Sequence, residues 1–116
     1  AAPGKKVTLR IAGAKGRVAL RIGGHRDELR HLDRWQRMPS ISLEVPVKDG
    51  VVEATNPFGG LVYVVSNQPL SETVVEIENT AQAPTFFLGQ TSETDWKRIR
   101  NSGAPWGEVV GKQCVV

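Results

Sequence analysis

His25 and His31 are the only histidines in the chain, so acid–base or metal chemistry has to begin with them and their nearest carboxylates, Asp27 and Glu28. Their spacing is H-x-x-E, with the second histidine six positions after the first. This is neither the H-E-x-x-H pair that sets two imidazoles one helical turn apart on a zinc ion nor a zinc-finger pattern. On a helix, six positions turn the chain through roughly 600° and aim the two rings to opposite faces. Both histidines are therefore expected to be structural or solvated, and no metal ligand is assigned.

Other catalytic patterns fare no better. No G-x-S-x-G occurs, and the stretch around the histidines supplies no serine for them to activate. Gly23-Gly24 and Gly59-Gly60 belong to neither a G-x-G-x-x-G nor a Walker pattern, so they read as turn and bulge residues. Trp35, Trp96 and Trp106 raise a different chemistry, since an exposed indole stacks on a sugar face. Trp96 and Trp106 have packing roles available in their surroundings, whereas Trp35 lies in a polar stretch beside Arg34 and Arg37. Trp35, Arg34 and Arg37 are the candidate glycan contacts.

The basic stretch His25–Arg37 is interleaved with Asp27, Glu28 and Asp33, and the whole chain has a formal charge of only +3. A dense field for nucleic acid is absent, and a nucleic-acid partner is not expected. Cys114 is the single cysteine, which excludes an intrachain disulfide; beside Val115 and Val116 it is expected to be a small buried apolar residue. No apolar run approaches the roughly 20 residues that span a bilayer as a helix.

The elements that would position these residues are mostly strands. Lys5–Ala12 sets Val7, Leu9 and Ile11 against Thr8 and Arg10, and Arg17–Gly23 sets Val18, Leu20 and Ile22 against Ala19 and Arg21. Gly13-Ala-Lys-Gly16 between them predicts a hairpin. Leu29, Leu32 and Trp35 fall three apart in an otherwise charged segment that Met38-Pro39 ends, which predicts a short helical or turn-rich excursion. Ser40–Val47 resumes the alternation, with Pro46 pushing it toward a sheet edge. Asp49-Gly50 is a turn signal ahead of the strand Val51–Thr55. The continuous apolar run Leu61–Ser66 predicts a central strand covered on both faces. Glu72–Asn79 and Ala83–Leu88 follow as strands, and Gln113–Val116 begins another.

The one helix is expected near residues 92–101, with Thr91 or Ser92 as cap, acidic residues in its first turn and Lys97, Arg98 and Arg100 in its last. Trp96 and Ile99 share the face that would dock it. Seven or eight short strands at regular intervals predict a mostly β fold, an antiparallel β-sandwich-like domain, drawn here as a single unit over 1–116.

Several segments occur in an order that carries a resemblance: Ile22-Gly-Gly-His25, Asn56-Pro-Phe-Gly-Gly-Leu-Val-Tyr63, Ala83-Pro-Thr-Phe-Phe-Leu-Gly89, Asp95-Trp-Lys-Arg-Ile-Arg100 and Ala104-Pro-Trp-Gly-Glu108. Together the chain resembles the N-terminal β-rich part of the enhancin-like zinc metallopeptidases. That family is itself similar to the vertebrate channel-associated factors, whose peptidase domain is degenerate. The resemblance implies a β-sandwich-like region ahead of a helical catalytic region. There an H-E-x-x-H helix and a downstream glutamate hold zinc, and the substrates are mucin-type O-glycoproteins.

No such motif occurs here, so no catalytic or metal residue is carried over; zinc is expected only in the catalytic region of a parent protein. The apolar run that closes the chain reads as an unfinished strand, from which an excised segment is expected. The function expected is that of a non-catalytic subdomain of a secreted or cell-surface peptidase, with mucin-type glycoproteins or their O-glycans and the parent's catalytic region as partners. The alternatives are an autonomous carbohydrate-binding module or a protein-interaction scaffold.

Overall fold

The structure, a computed structural model, describes all 116 residues. Eight strands and one helix follow in the order β1 (Lys6–Ala12), β2 (Val18–Ile22), β3 (Leu43–Pro46), β4 (Val51–Thr55), β5 (Val62–Ser66), β6 (Val74–Glu78), β7 (Thr85–Phe87), α1 (Glu93–Ile99) and β8 (Glu108–Val110). The fold is mostly β, with antiparallel sheets and one short helix. Backbone contacts group the chain into two compact units, Ala1–Thr80 and Ala81–Val116, where the sequence reading drew one.

In the first unit β1 and β2 each occupy the centre of a three-stranded antiparallel sheet, in the orders β4-β1-β6 and β3-β2-β5. The alternation seen in sequence sets their faces. Val7, Leu9, Leu20 and Ile22 have no exposed surface, and they form one cluster with Ala54 from β4. Each such side chain contributes roughly 1.5–3 kcal/mol by leaving water. Leu43, Val45, Val52, Val62 and Val64 pack around the cluster from both sheets, which makes the unit sandwich-like.

The expected β1–β2 hairpin does not form. The two strands lie in different sheets, and Gly13–Gly16 carries the chain from one to the other. Alternation specifies which face of a strand is buried and says nothing about its partner, so two central strands placed one after the other read like a hairpin. The apolar run Leu61–Ser66 is likewise not central: β5 is an edge strand with every residue half-buried. β3, with Pro46, is at an edge as its proline requires.

In the second unit β7 and β8 pair in parallel, a departure from the all-antiparallel expectation. Val116 exchanges both backbone hydrogen bonds with Val109, at 2.7 and 2.9 Å, so the final apolar residues do continue the sheet. Ser92 caps α1: its Oγ accepts from the Asp95 backbone N–H at 3.0 Å and donates to Asp95 Oδ2 at 2.7 Å. Trp96 meets Phe86 edge-to-face at 5.5 Å, which ties α1 to β7. Cys114 is exposed, contrary to the buried role its neighbours implied, because Val115 and Val116 beside it are themselves exposed.

Candidate functional site

The excursion between β2 and β3 contains no helix, yet it is tied down at its base. Ile41 N–H donates to the His25 carbonyl at 3.2 Å, Asp27 N–H donates to the Pro39 carbonyl at 2.5 Å, and Arg26 and Ser40 form an isolated antiparallel bridge. Leu29, at 7% exposure, is its one buried apolar anchor. Asp27 Oδ2 is shielded from water and faces the Arg37 guanidinium, with His25 Nε2 at 3.6 Å. These contacts hold open a surface cleft of about 480 Å³ between Arg26, Glu28, Arg30, Trp35 and Pro39.

The three candidate glycan contacts separate in this geometry. Trp35 lines the cleft and keeps 52% of its surface exposed. Arg37 spends its guanidinium on Asp27 and so acts on the shape of the loop. Arg34 is exposed and is not part of the lining. In their place stand Arg26 and Arg30, from the same basic stretch.

The histidine beside the cleft and the hydroxyl in its lining are both engaged with neighbours. His25 Nε2 sits 3.1 Å from the Met38 carbonyl, so that nitrogen carries the proton and is committed to a backbone acceptor. Ser40, the only hydroxyl of the lining, has Ser42 Oγ as its side-chain neighbour at 3.4 Å, which is no base. No group of three or more His, Cys, Asp or Glu side chains is placed to hold a metal ion. The residues present do not fit zinc.

The residue that organises the glycine segments is Asn56, which heads the segment Asn56-Pro-Phe-Gly-Gly-Leu-Val-Tyr63. It is 3% exposed, and both hydrogens of its amide and its amide oxygen are bonded. Nδ2 donates to the Ile22 carbonyl at 2.9 Å and the Ile41 carbonyl at 2.8 Å, while Oδ1 accepts from Phe58 N–H at 2.9 Å. Its backbone carbonyl accepts from Gly4 and Gly59, both at 3.0 Å. Gly60, at φ 128°, passes so close to Gly23 that a Cβ built on it would lie 2.7 Å from the Gly23 Cα. One asparagine thus joins the end of β2, the start of β3 and the β4–β5 corner, which fixes both ends of the excursion that forms the cleft. The signal available in sequence was the isolated Asn directly ahead of Pro-Phe-Gly-Gly.

The first unit is thus a mostly β, sandwich-like domain with a surface cleft between β2 and β3. Residues 1–80 match the N-terminal domain of M60-like peptidases, and the chain belongs to that family. Among curated proteins it is 32% identical over 93 residues to a TRPM8 channel-associated factor homolog of Danio rerio, covering 78% of this chain and 10% of that protein. It is 31% identical over 113 residues to TRPM8 channel-associated factor 1 of Bos taurus, covering 92% of this chain and 12% of that protein.

The chain therefore spans about a tenth of the length of the curated relatives it matches. A crystal structure of a functionally unknown conserved protein from Bacillus anthracis str. Ames superposes with a TM-score of 0.61 at 22% identity, over 96% of this chain and 21% of that one, and shares its fold. No helix is long and apolar enough to cross a membrane.

Proposed function

We propose that the chain is the non-catalytic N-terminal subdomain of a secreted zinc metallopeptidase acting on mucin-type O-glycoproteins. Its task is to present the substrate to a catalytic region that lies elsewhere in the parent protein and holds the zinc. The observation that carries this reading is the match of residues 1–80 to the N-terminal domain of M60-like peptidases, in a chain whose own histidines are committed or exposed. The test uses the full-length protein and its His25→Ala/His31→Ala variant. One zinc per chain and cleavage of an O-glycosylated mucin, both retained in the double variant, is the expected result. Loss of the zinc in that variant overturns it.

A second reading, direct glycan binding, is favoured by the exposed Trp35 beside Arg26 and Arg30 in one cleft. An indole face stacks on a pyranose ring, and guanidinium groups meet the carboxylate or sulfate of an acidic O-glycan. Calorimetric titration with sialylated and sulfated O-glycans should show binding that Trp35→Ala abolishes without lowering the melting temperature. No heat at millimolar glycan removes this reading. The similarity to TRPM8 channel-associated factors favours instead a protein-interaction scaffold, which a protein partner bound independently of sugar would reveal.

A further inference from the structure

Strand β6 ends the sheet β4-β1-β6 and pairs on one side only, with β1. All five of its residues are exposed. Its pairing puts Val75 opposite Ile11 and Ile77 opposite Leu9, on the face that β1 buries, yet Val75 and Ile77 remain 38% and 37% exposed. On the other face Glu76 and Glu78 follow the strand, and Arg10 of β1 reaches Glu78 at 3.4 Å. The free edge is thus a row of backbone donors and acceptors flanked by two open branched side chains on one face and two carboxylates on the other.

Exposed edges of this kind are ordinarily blunted by prolines, bulges or charged side chains; β6 has no proline, and its only charges, Glu76 and Glu78, share one face. Its charge disfavours one occupant. In an antiparallel β6–β6 pair centred on Ile77, Glu76 and Glu78 would face the glutamates of the second copy, and like charges directly opposite each other destabilise a ladder. The strand that β6 already accepts shows the complementary pattern. Over the paired residues β1 sets Thr8 and Arg10 opposite Glu78 and Glu76, and Leu9 and Ile11 opposite Ile77 and Val75.

We infer that the free edge of β6 is a docking site for one extended segment of a partner polypeptide, with Lys or Arg on one face and branched apolar residues on the other, which adds as a fourth strand. Main-chain hydrogen bonds supply the attachment, and the alternation supplies the selectivity. Basic side chains fall opposite Glu76 and Glu78, while apolar ones cover Val75 and Ile77.

The test uses the 116-residue chain and an end-capped, fluorescein-labelled peptide alternating Lys and Val, read by anisotropy and by hydrogen exchange of the 74–78 amides. Expected are saturable binding, protection of those amides, and a loss of affinity of about tenfold or more in Glu76→Lys/Glu78→Lys. Glu76→Gln, which keeps the shape, gives a smaller loss and serves if the double variant does not fold. A Glu–Val peptide and an N-methylated Lys–Val peptide should both fail, the second because it lacks the donors of a strand. Binding that leaves the 74–78 amides unprotected, equal binding of the N-methylated peptide, or a β6-mediated dimer in sedimentation overturns the inference.

Discussion

Replacing Asn56 by alanine strips partners from the Ile22 and Ile41 carbonyls and from the Phe58 amide at once. A buried polar group left unsatisfied costs about 1–3 kcal/mol, so a loss of about 2–4 kcal/mol is expected in urea unfolding. Asn56→Asp should be no better at neutral pH, since it keeps the acceptor but turns a carboxylate toward two carbonyl oxygens. Gly60→Ala should destabilise more than Gly4→Ala. Both sites have positive φ, but the new methyl at Gly60 meets the Gly23 backbone while that at Gly4 meets nothing within 4 Å. Equal melting temperatures for the two variants would show that the Gly23–Gly60 approach is not tight. Residue-scale reading of the sequence identified the glycines as turn formers and missed the asparagine, because its three partners come from segments 2 to 34 positions away.

Among the elements, the helix was the most readable, because its signals are local. Ser92, the first-turn acids Glu93 and Asp95 and the closing bases Lys97 and Arg98 lie within one short segment and take the expected places, while Arg100 caps a helix, Glu93–Ile99, shorter than the 92–101 expected. The hydrogen bond from Ser92 Oγ–H, and then the Arg98 guanidinium at 3.1 Å, hold the Asp95 carboxyl below its ordinary value of 3.8. A depressed carboxylate contributes above its unfolded value and loses that contribution as pH falls through its folded one. Carbon-13 titration should therefore place the Asp95 midpoint below 3.8, and Ser92→Ala should move it upward. A midpoint unmoved by Ser92→Ala would disprove the reciprocal cap. The strands were readable one by one but their pairing was not. β1 and β2 advertise a hairpin and form two sheet centres, and β5 looks central and is an edge. What decides each case is a partner far along the chain, to which alternation and apolar runs are blind.

For the molecule as a whole, the fold class followed from many short alternating segments, and the family from ordered segments whose glycines and prolines the structure shows in corners and close approaches. The cleft was only half foreseen. Trp35 is in it, but its cationic lining comes from Arg26 and Arg30, because the tie between Arg37 and Asp27 turns Arg37 to a structural task. The proposed function has this chain position the substrate and leave catalysis to another region. Calorimetric zinc titration of the folded 116-residue chain, paired with incubation on an O-glycosylated mucin, addresses that directly. No stoichiometric zinc binding and an intact mucin, alongside a cooperative thermal transition, are the expected outcome; one equivalent of tightly bound zinc that disappears in His25→Ala or His31→Ala, with mucin fragments released by the unaltered chain, would contradict it.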